Sequence, residues 1–129
     1  MDEVRPNQFA KIALDCSFRV HTALGPGLLE SSYKACLGFE LAASGLSAEV
    51  EVPVPLVYQG QKLAEVGYRV DVLVEEQLII EIKSVDAILP VHRAQLLSYL
   101  RLSNRRLGLL INFNTVHLKD GISRIVNNL

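Results

Sequence analysis

Val70-Asp71-Val72-Leu73-Val74, Glu75-Glu76-Gln77 and Leu78-Ile79-Ile80-Glu81-Ile82-Lys83-Ser84 follow one another in the middle of the chain. Their reading decides the fold. Two runs rich in β-branched and aliphatic residues flank a short polar segment, which predicts a hairpin of antiparallel strands. Side chains alternate between the faces of a strand, so residues two apart share a face. Val70 and Val72 then face one way and Asp71 the other. Ile80 and Ile82 face one way, with Glu81 and Lys83 on the other. With the turn centred near Glu76, Asp71 and Glu81 fall opposite each other across the ladder. The Ile-rich second strand suits the centre of a sheet.

Working back from the hairpin, Val50, Val52, Val54 and Leu56 alternate through a strand that starts near residue 49. Pro53 and Pro55 make it an edge strand, and Gln59-Gly60 turns it into the strand over 62–74, with an irregularity expected at Gly67. Two helices precede it. Phe9, Ile12, Ala13, Cys16, Val20 and Ala23 predict a helix over 7–24 with Asn7 as its cap. Gly25-Pro26-Gly27 ends it. Leu29, Tyr33, Leu37 and Leu41 predict a second helix over 28–44, stopped by Gly45. Working forward, Pro90 opens a helix to about Leu102, Leu107–Asn112 reads as a buried strand, and residues 116–126 as one more. The order is α-α-β-β-β-α-β-β. A chain of 129 residues fits one domain, residues 1–129.

Half of the residues are hydrophobic, enough to fill a real core, yet no apolar run is long enough to span a bilayer. Met1-Asp2-Glu3 lacks the basic-then-apolar order of a secretory leader, so a cytoplasmic protein is expected. Cys16 and Cys36 have neither CxxC nor zinc spacing and read as free thiols. A net charge of −1 argues against a surface coated for tight non-specific nucleic-acid binding. It leaves room for a local basic cluster, for which Arg93, Arg101, Arg105 and Arg106 are the candidates.

Two adjacent carboxylates repel each other unless a cation holds them. Mg²⁺ suits Asp71 and Glu81, since it is hard, takes oxygen ligands and keeps waters and substrate phosphate in its shell. Lys83, on the same face, is placed to orient or help deprotonate an attacking water, whose pKa the ion would lower. A solvated strand face with an Asp–Lys or Glu–Lys pair fits the same D-x₉-E-x-K spacing and stays open on that spacing alone. On the helices, Glu30 and Tyr33 share a face, as do Gln95 and Tyr99, with His92 near the latter pair.

The run Gly27-Leu28-Leu29-Glu30-Ser31-Ser32-Tyr33 resembles the motif that names the GxxExxY protein family. The likeness continues in order through Val52-Pro53-Val54-Pro55, Tyr58, Tyr68-Arg69-Val70-Asp71, Ile80-Glu81-Ile82-Lys83, the segment from Pro90 to Leu100, and Gly108 to Phe113. That family is grouped with the PD-(D/E)xK nuclease superfamily. The resemblance implies an α/β fold with a restriction-endonuclease-like core, a mixed central sheet flanked by helices. It implies Asp71 and Glu81 as metal ligands, with the backbone carbonyl of Ile82 as a further one, and Lys83 as the catalytic lysine. Glu30 matches a helix acid that contacts metal through water, and Gln95 a helix residue beside the site, with Tyr99 near it. Val70 stands where the superfamily has proline, and Leu89 where a polar cap would precede Pro90.

The expected activity is metal-dependent hydrolysis of nucleic-acid phosphodiesters, DNA before RNA, with Mg²⁺ or Mn²⁺. The alternatives are a non-cleaving module that binds nucleic acid or protein on the same fold, and a small structural subunit. A homodimer would supply the contact surface that a nearly neutral chain lacks.

Overall fold

The computed structural model describes residues 4–129. Met1-Asp2-Glu3, from which the expectation about a leader was drawn, lie outside the described residues. Two helices, α1 (Val4–Leu24) and α2 (Glu30–Ala43), precede three strands, β1 (Ala48–Tyr58), β2 (Gln61–Val74) and β3 (Leu78–Lys83). Helix α3 (Pro90–Leu102) leads to β4 (Leu107–Asn112), one turn of 3₁₀ helix (Leu118–Gly121) and β5 (Ile122–Val126). The strands form one sheet in the order β1-β2-β3-β4-β5. β3 and β4 pair in parallel and the other neighbours antiparallel. The sheet is therefore mixed, with the Ile-rich β3 at its centre and the proline-bearing β1 at its edge, consistent with a restriction-endonuclease-like fold.

Two cores lie on the two faces. Ala13, Cys16, Val20, Tyr33, Leu37 and Leu41 of α1 and α2 pack on Val72, Ile80, Ile82, Leu109 and Ile111. Leu96 and Leu100 of α3 pack on the other face, against Leu73, Ile79 and Leu110. Both faces of β3 and β4 are thus covered, which is why those strands read as near-continuous apolar runs. Each fully buried aliphatic side chain contributes on the order of 1.5–3 kcal/mol. No helix among the described residues is long and apolar enough to cross a membrane.

Several local expectations change. Helix α1 already runs at Val4, because Pro6 lacks only an N–H that the first turn would leave unbonded. Asn7 is therefore inside the helix, where its Oδ1 accepts a hydrogen bond from Arg124 at 2.6 Å, and is no cap. α2 starts at Glu30 rather than 28: Leu28 is held outside the helix, its N–H donating to the Tyr33 hydroxyl at 3.0 Å and its carbonyl accepting from Ser84 Oγ at 2.6 Å. The final strand covers only 122–126. The chain before it forms the 3₁₀ turn that sends Leu118 into the core, and Gly121 passes so close to Asn112 that a Cβ there would run into the Asn112 carbonyl.

The irregularity in β2 is real and displaced from simple alternation. Val54 pairs with Tyr68 but Leu56 with Ala64, so β2 carries extra residues between them. Gly67 lies inside that stretch, where an added Cβ would stand 2.7 Å from Leu56 Cβ. A second departure matters more. Alternation puts Val70 and Val72 on one face, yet Val70 packs in the α3-side core and Val72 in the α1–α2-side core. β2 turns over at Asp71. Across from it, Glu51 adopts φ +55° between the Val50–Val72 and Val52–Val70 pairs, and the β1 backbone breaks there too.

Candidate active site

The pairs Val74–Leu78, Leu73–Ile79 and Val72–Ile80 are those a turn centred on Glu76 demands. The turn is tight, with Glu75 and Glu76 both at positive φ. The ladder stops at Val72–Ile80, where β2 turns over. Beyond it the Asp71 side chain takes over: its Oδ2 accepts the Ile82 N–H at 2.8 Å. One carboxylate oxygen thereby stands in for a missing backbone bond, and Asp71 is fixed against β3. Within a strand a residue's N–H and C=O point to the same side, so the Ile82 carbonyl faces the same opening.

Glu81 is 7% exposed, and its Oε1 has no hydrogen-bond partner among the described residues. The nearby Asp71 carboxylate offers only acceptors. Burial, reinforced by a hydrogen bond to Asp71 and by its charge, pushes the Glu81 carboxyl up to about 9, against a smaller opposing pull from the Lys83 ammonium. Without a metal ion, the pair settles by keeping a proton on Glu81. Lys83 is half-buried at the end of β3, and its ammonium makes no ion pair among the described residues.

Tyr99 of α3 faces this pair. Its hydroxyl is held above the ordinary tyrosine range by burial first and then by the charges of Glu81 and Asp71. Its ring stacks on Tyr68 with centroids 4.2 Å apart, and the Tyr68 hydroxyl donates to the Tyr99 carbonyl at 3.2 Å. Gln95, one turn earlier, is exposed and makes no hydrogen bond among the described residues. Leu89 offers no side-chain cap to α3, but His92 Nδ1 accepts the Leu89 N–H at 3.0 Å and supplies half of a capping box.

Glu30 opens α2, a favourable place for an acid beside the positive helix end. Its Oε2 accepts the Ser84 N–H at 3.4 Å, which brings it to the end of β3, next to Lys83 in the chain. Tyr33 is structural: it donates to the Gly25 carbonyl at 2.6 Å and stacks on Phe113 at 4.5 Å. Among the described residues no three His, Cys, Asp or Glu side chains group closely enough to hold a metal alone. Asp71 and Glu81 thus offer a two-carboxylate site, with Glu30 set apart from them. A pair of hard oxygen ligands with one buried oxygen unsatisfied fits Mg²⁺ or Mn²⁺, which fill the remainder of their shell with water and phosphate.

Three contributors were not read from the sequence. Lys34 of α2 pairs with both Asp71 and Glu51. Ser84 ties Leu28 to the end of β3. Asn112, 3% exposed and opposite Lys83 in the β3–β4 register, holds both the N–H and the carbonyl of Val85 through its amide. The expected basic cluster is divided. Arg105 reaches Glu76 at 3.2 Å and Arg106 bonds the Asn128 carbonyl, both at the end of the sheet away from Lys83, because the strand order puts the start of β4 beside the start of β3. Arg93 and Arg101 remain exposed on α3. Cys16 and Cys36 are free thiols. A separate open cleft of about 510 Å³, lined by Phe18, His21, Pro26, His117 and Lys119 among others, includes none of the acids named above.

Residues 7–125 match the family model of the PD-(D/E)XK nuclease superfamily. Among solved structures, the crystal structure of SSO0001 is similar over 96% of this chain at 22% identity, with a TM-score of 0.46. This chain spans 64% of the length of that one. A comparison with curated proteins finds none that matches.

Proposed function

Because this chain belongs to the PD-(D/E)XK nuclease superfamily, we propose that its Asp71–Glu81–Lys83 cluster hydrolyses phosphodiester bonds of nucleic acid, DNA in preference to RNA. Nucleases of this superfamily generally use divalent metals, and here Mg²⁺ or Mn²⁺ is the proposed ion. The observation that carries the reading is the orphaned, buried Oε1 of Glu81 beside Asp71, an arrangement that is costly without a cation. Asp71, Glu81 and the Ile82 carbonyl would hold the ion. When bound, it would lower the pKa of water and polarise the phosphorus–oxygen bond.

The protein's own groups have separate tasks. The Ile82 N–H fixes the Asp71 carboxylate through Oδ2 and leaves Oδ1 as the oxygen for the ion. Lys83 carries its ammonium near enough to Glu81 to act on it by charge, suited to orienting the attacking water and to stabilising charge that builds on the phosphate. Glu30, reaching the end of β3 from α2, would act one layer out, through water. The stacked Tyr68 and Tyr99 wall off the α3 side and keep bulk water from the acids. Gln95, exposed one turn before Tyr99, would border the substrate. The GxxExxY motif serves this centre by pinning the start of α2 through Tyr33 while presenting Glu30. A nearly neutral chain holds nucleic acid weakly, and a second copy would add the missing contacts.

The test is cleavage of plasmid and oligonucleotide DNA, and of matched RNA, with Mg²⁺ or Mn²⁺. Lys83→Ala is expected to lower the rate on the order of a hundredfold or more while largely sparing metal affinity. Asp71→Ala is expected to lose metal affinity by calorimetry. Equal activity in wild type and Lys83→Ala would sink the assignment and favour a non-cleaving binding module.

A further inference from the structure

Lys34 has no place in the reaction just described, yet it touches one of its acids. The residue follows Tyr33 on α2 and lies four after Glu30, so it shares Glu30's side of the helix. Its side chain is 18% exposed. The ammonium stands 3.4 Å from Asp71 Oδ1 and forms an ion pair with Glu51 Oε1. Burial disfavours the charged lysine, but the hydrogen bond to Glu51 and the charge of Asp71 outweigh it and raise the Lys34 pKa.

The two oxygens of Asp71 are therefore divided. Oδ2 is committed to the Ile82 N–H, and Oδ1 is the oxygen left for a cation. In this structure that cation is Lys34. The backbone makes a second seat for it. Glu51 takes φ +55° at the break in the β1–β2 ladder, which brings its carboxylate to Lys34 from the opposite strand. Glu51 is 53% exposed, so it can hold the ammonium in a wet setting at little cost.

We propose that Lys34 is a resident counter-cation that competes with the divalent ion for Asp71 Oδ1 and passes to Glu51 when the ion binds. This rests on the reading of Asp71 and Glu81 as a metal site. Two cations cannot share one carboxylate oxygen without strong repulsion. The long, flexible lysine stem and the adjacent Glu51 give the displaced ammonium somewhere to go. In the metal-free state Lys34 offsets part of the charge of Asp71. The device is a positioning one, and it weakens metal binding.

Calorimetric titration of the full chain with Mn²⁺, and separately with Ca²⁺, tests it. Lys34→Met keeps the apolar stem and removes the competitor, so affinity should rise by roughly an order of magnitude. Glu51→Gln removes the second seat and leaves Lys34 on Asp71, so affinity should fall severalfold. Lys34→Arg retains the charge and should stay near wild type. In the Lys34→Met background, Glu51→Gln should lose its effect, since Glu51 acts through the lysine. Opposite signs from the two halves of one ion pair are not what a merely structural role produces. Should Lys34→Met fail to fold, the fall in Glu51→Gln still has to appear. Unchanged or weaker binding in folded Lys34→Met, or a Glu51→Gln effect that survives without Lys34, overturns the proposal alone. Absence of metal binding in the wild type overturns it together with the functional reading beneath it.

Discussion

Glu81 sets the electrostatics of the centre because water does not reach its Oε1 and Asp71 offers it no donor. Its carboxyl titrates near 9 in the folded, metal-free chain, raised by burial and then by Asp71, against an ordinary value near 4.5. The folded state therefore keeps a proton that the unfolded chain has released. Stability of the apo protein should fall as pH rises from about 4.5 towards about 9 and level off outside that window. Glu81→Gln, neutral at every pH, should flatten the slope and stabilise the apo protein at pH 8 by on the order of 1–3 kcal/mol. Urea melts across that range are the check, and a wild-type slope of opposite sign would refute the buried acid. At this scale the candidates Asp71, Glu81 and Lys83 stood out because charge inside an apolar strand run is rare, but alternation misjudged the face of Val70, since β2 turns over at Asp71. Lys34 was not legible. A lysine on a helix resembles any solvated surface residue, and its partner Asp71 is 37 positions away, brought close only by packing.

Elements bounded by strong local chemistry came out as read: α3 at Pro90–Leu102 and β4 at Leu107–Asn112. Those whose limits depend on distant contacts did not. The tail left its expected strand because Leu118 is drawn into the core, and the reversal of β2 at Asp71 depends on the break at Glu51 across the ladder. The segment between β3 and α3 belongs to the second kind. Asn112 Oδ1 accepts from the Val85 N–H at 3.1 Å and its Nδ2 donates to the Val85 carbonyl at 2.9 Å. Asn112→Ala should cost on the order of 1 kcal/mol, since it leaves part-buried backbone groups of Val85 unpaired. Hydrogen exchange should quicken first at Val85 and its neighbours, while β1 and β2 stay protected. Protection lost evenly over the sheet would show that the amide supports the core at large and not this segment.

For the molecule as a whole, a divalent ion that binds the folded acids and not the unfolded chain must raise thermal stability. At a hundredfold excess over Kd the gain is about 2.7 kcal/mol, on the order of 10 °C for a chain of this size. Asp71→Ala should abolish the shift with Mn²⁺; a shift of equal size in that variant would mean the ion binds elsewhere. The three-residue turn at Glu75-Glu76-Gln77 carries a consequence of another kind. It makes β2–β3 one of the most local pairings in the fold, whereas the parallel β3–β4 pairing waits until everything from Ser84 to Arg106 has been arranged. Chain entropy favours closing the hairpin early. Asp71 and Glu81 then meet while both are still hydrated and ionised, before helices cover them. Their repulsion falls on the nascent chain rather than only on the finished one, so acid or a divalent ion would change how fast this protein folds as well as how firmly it stays folded.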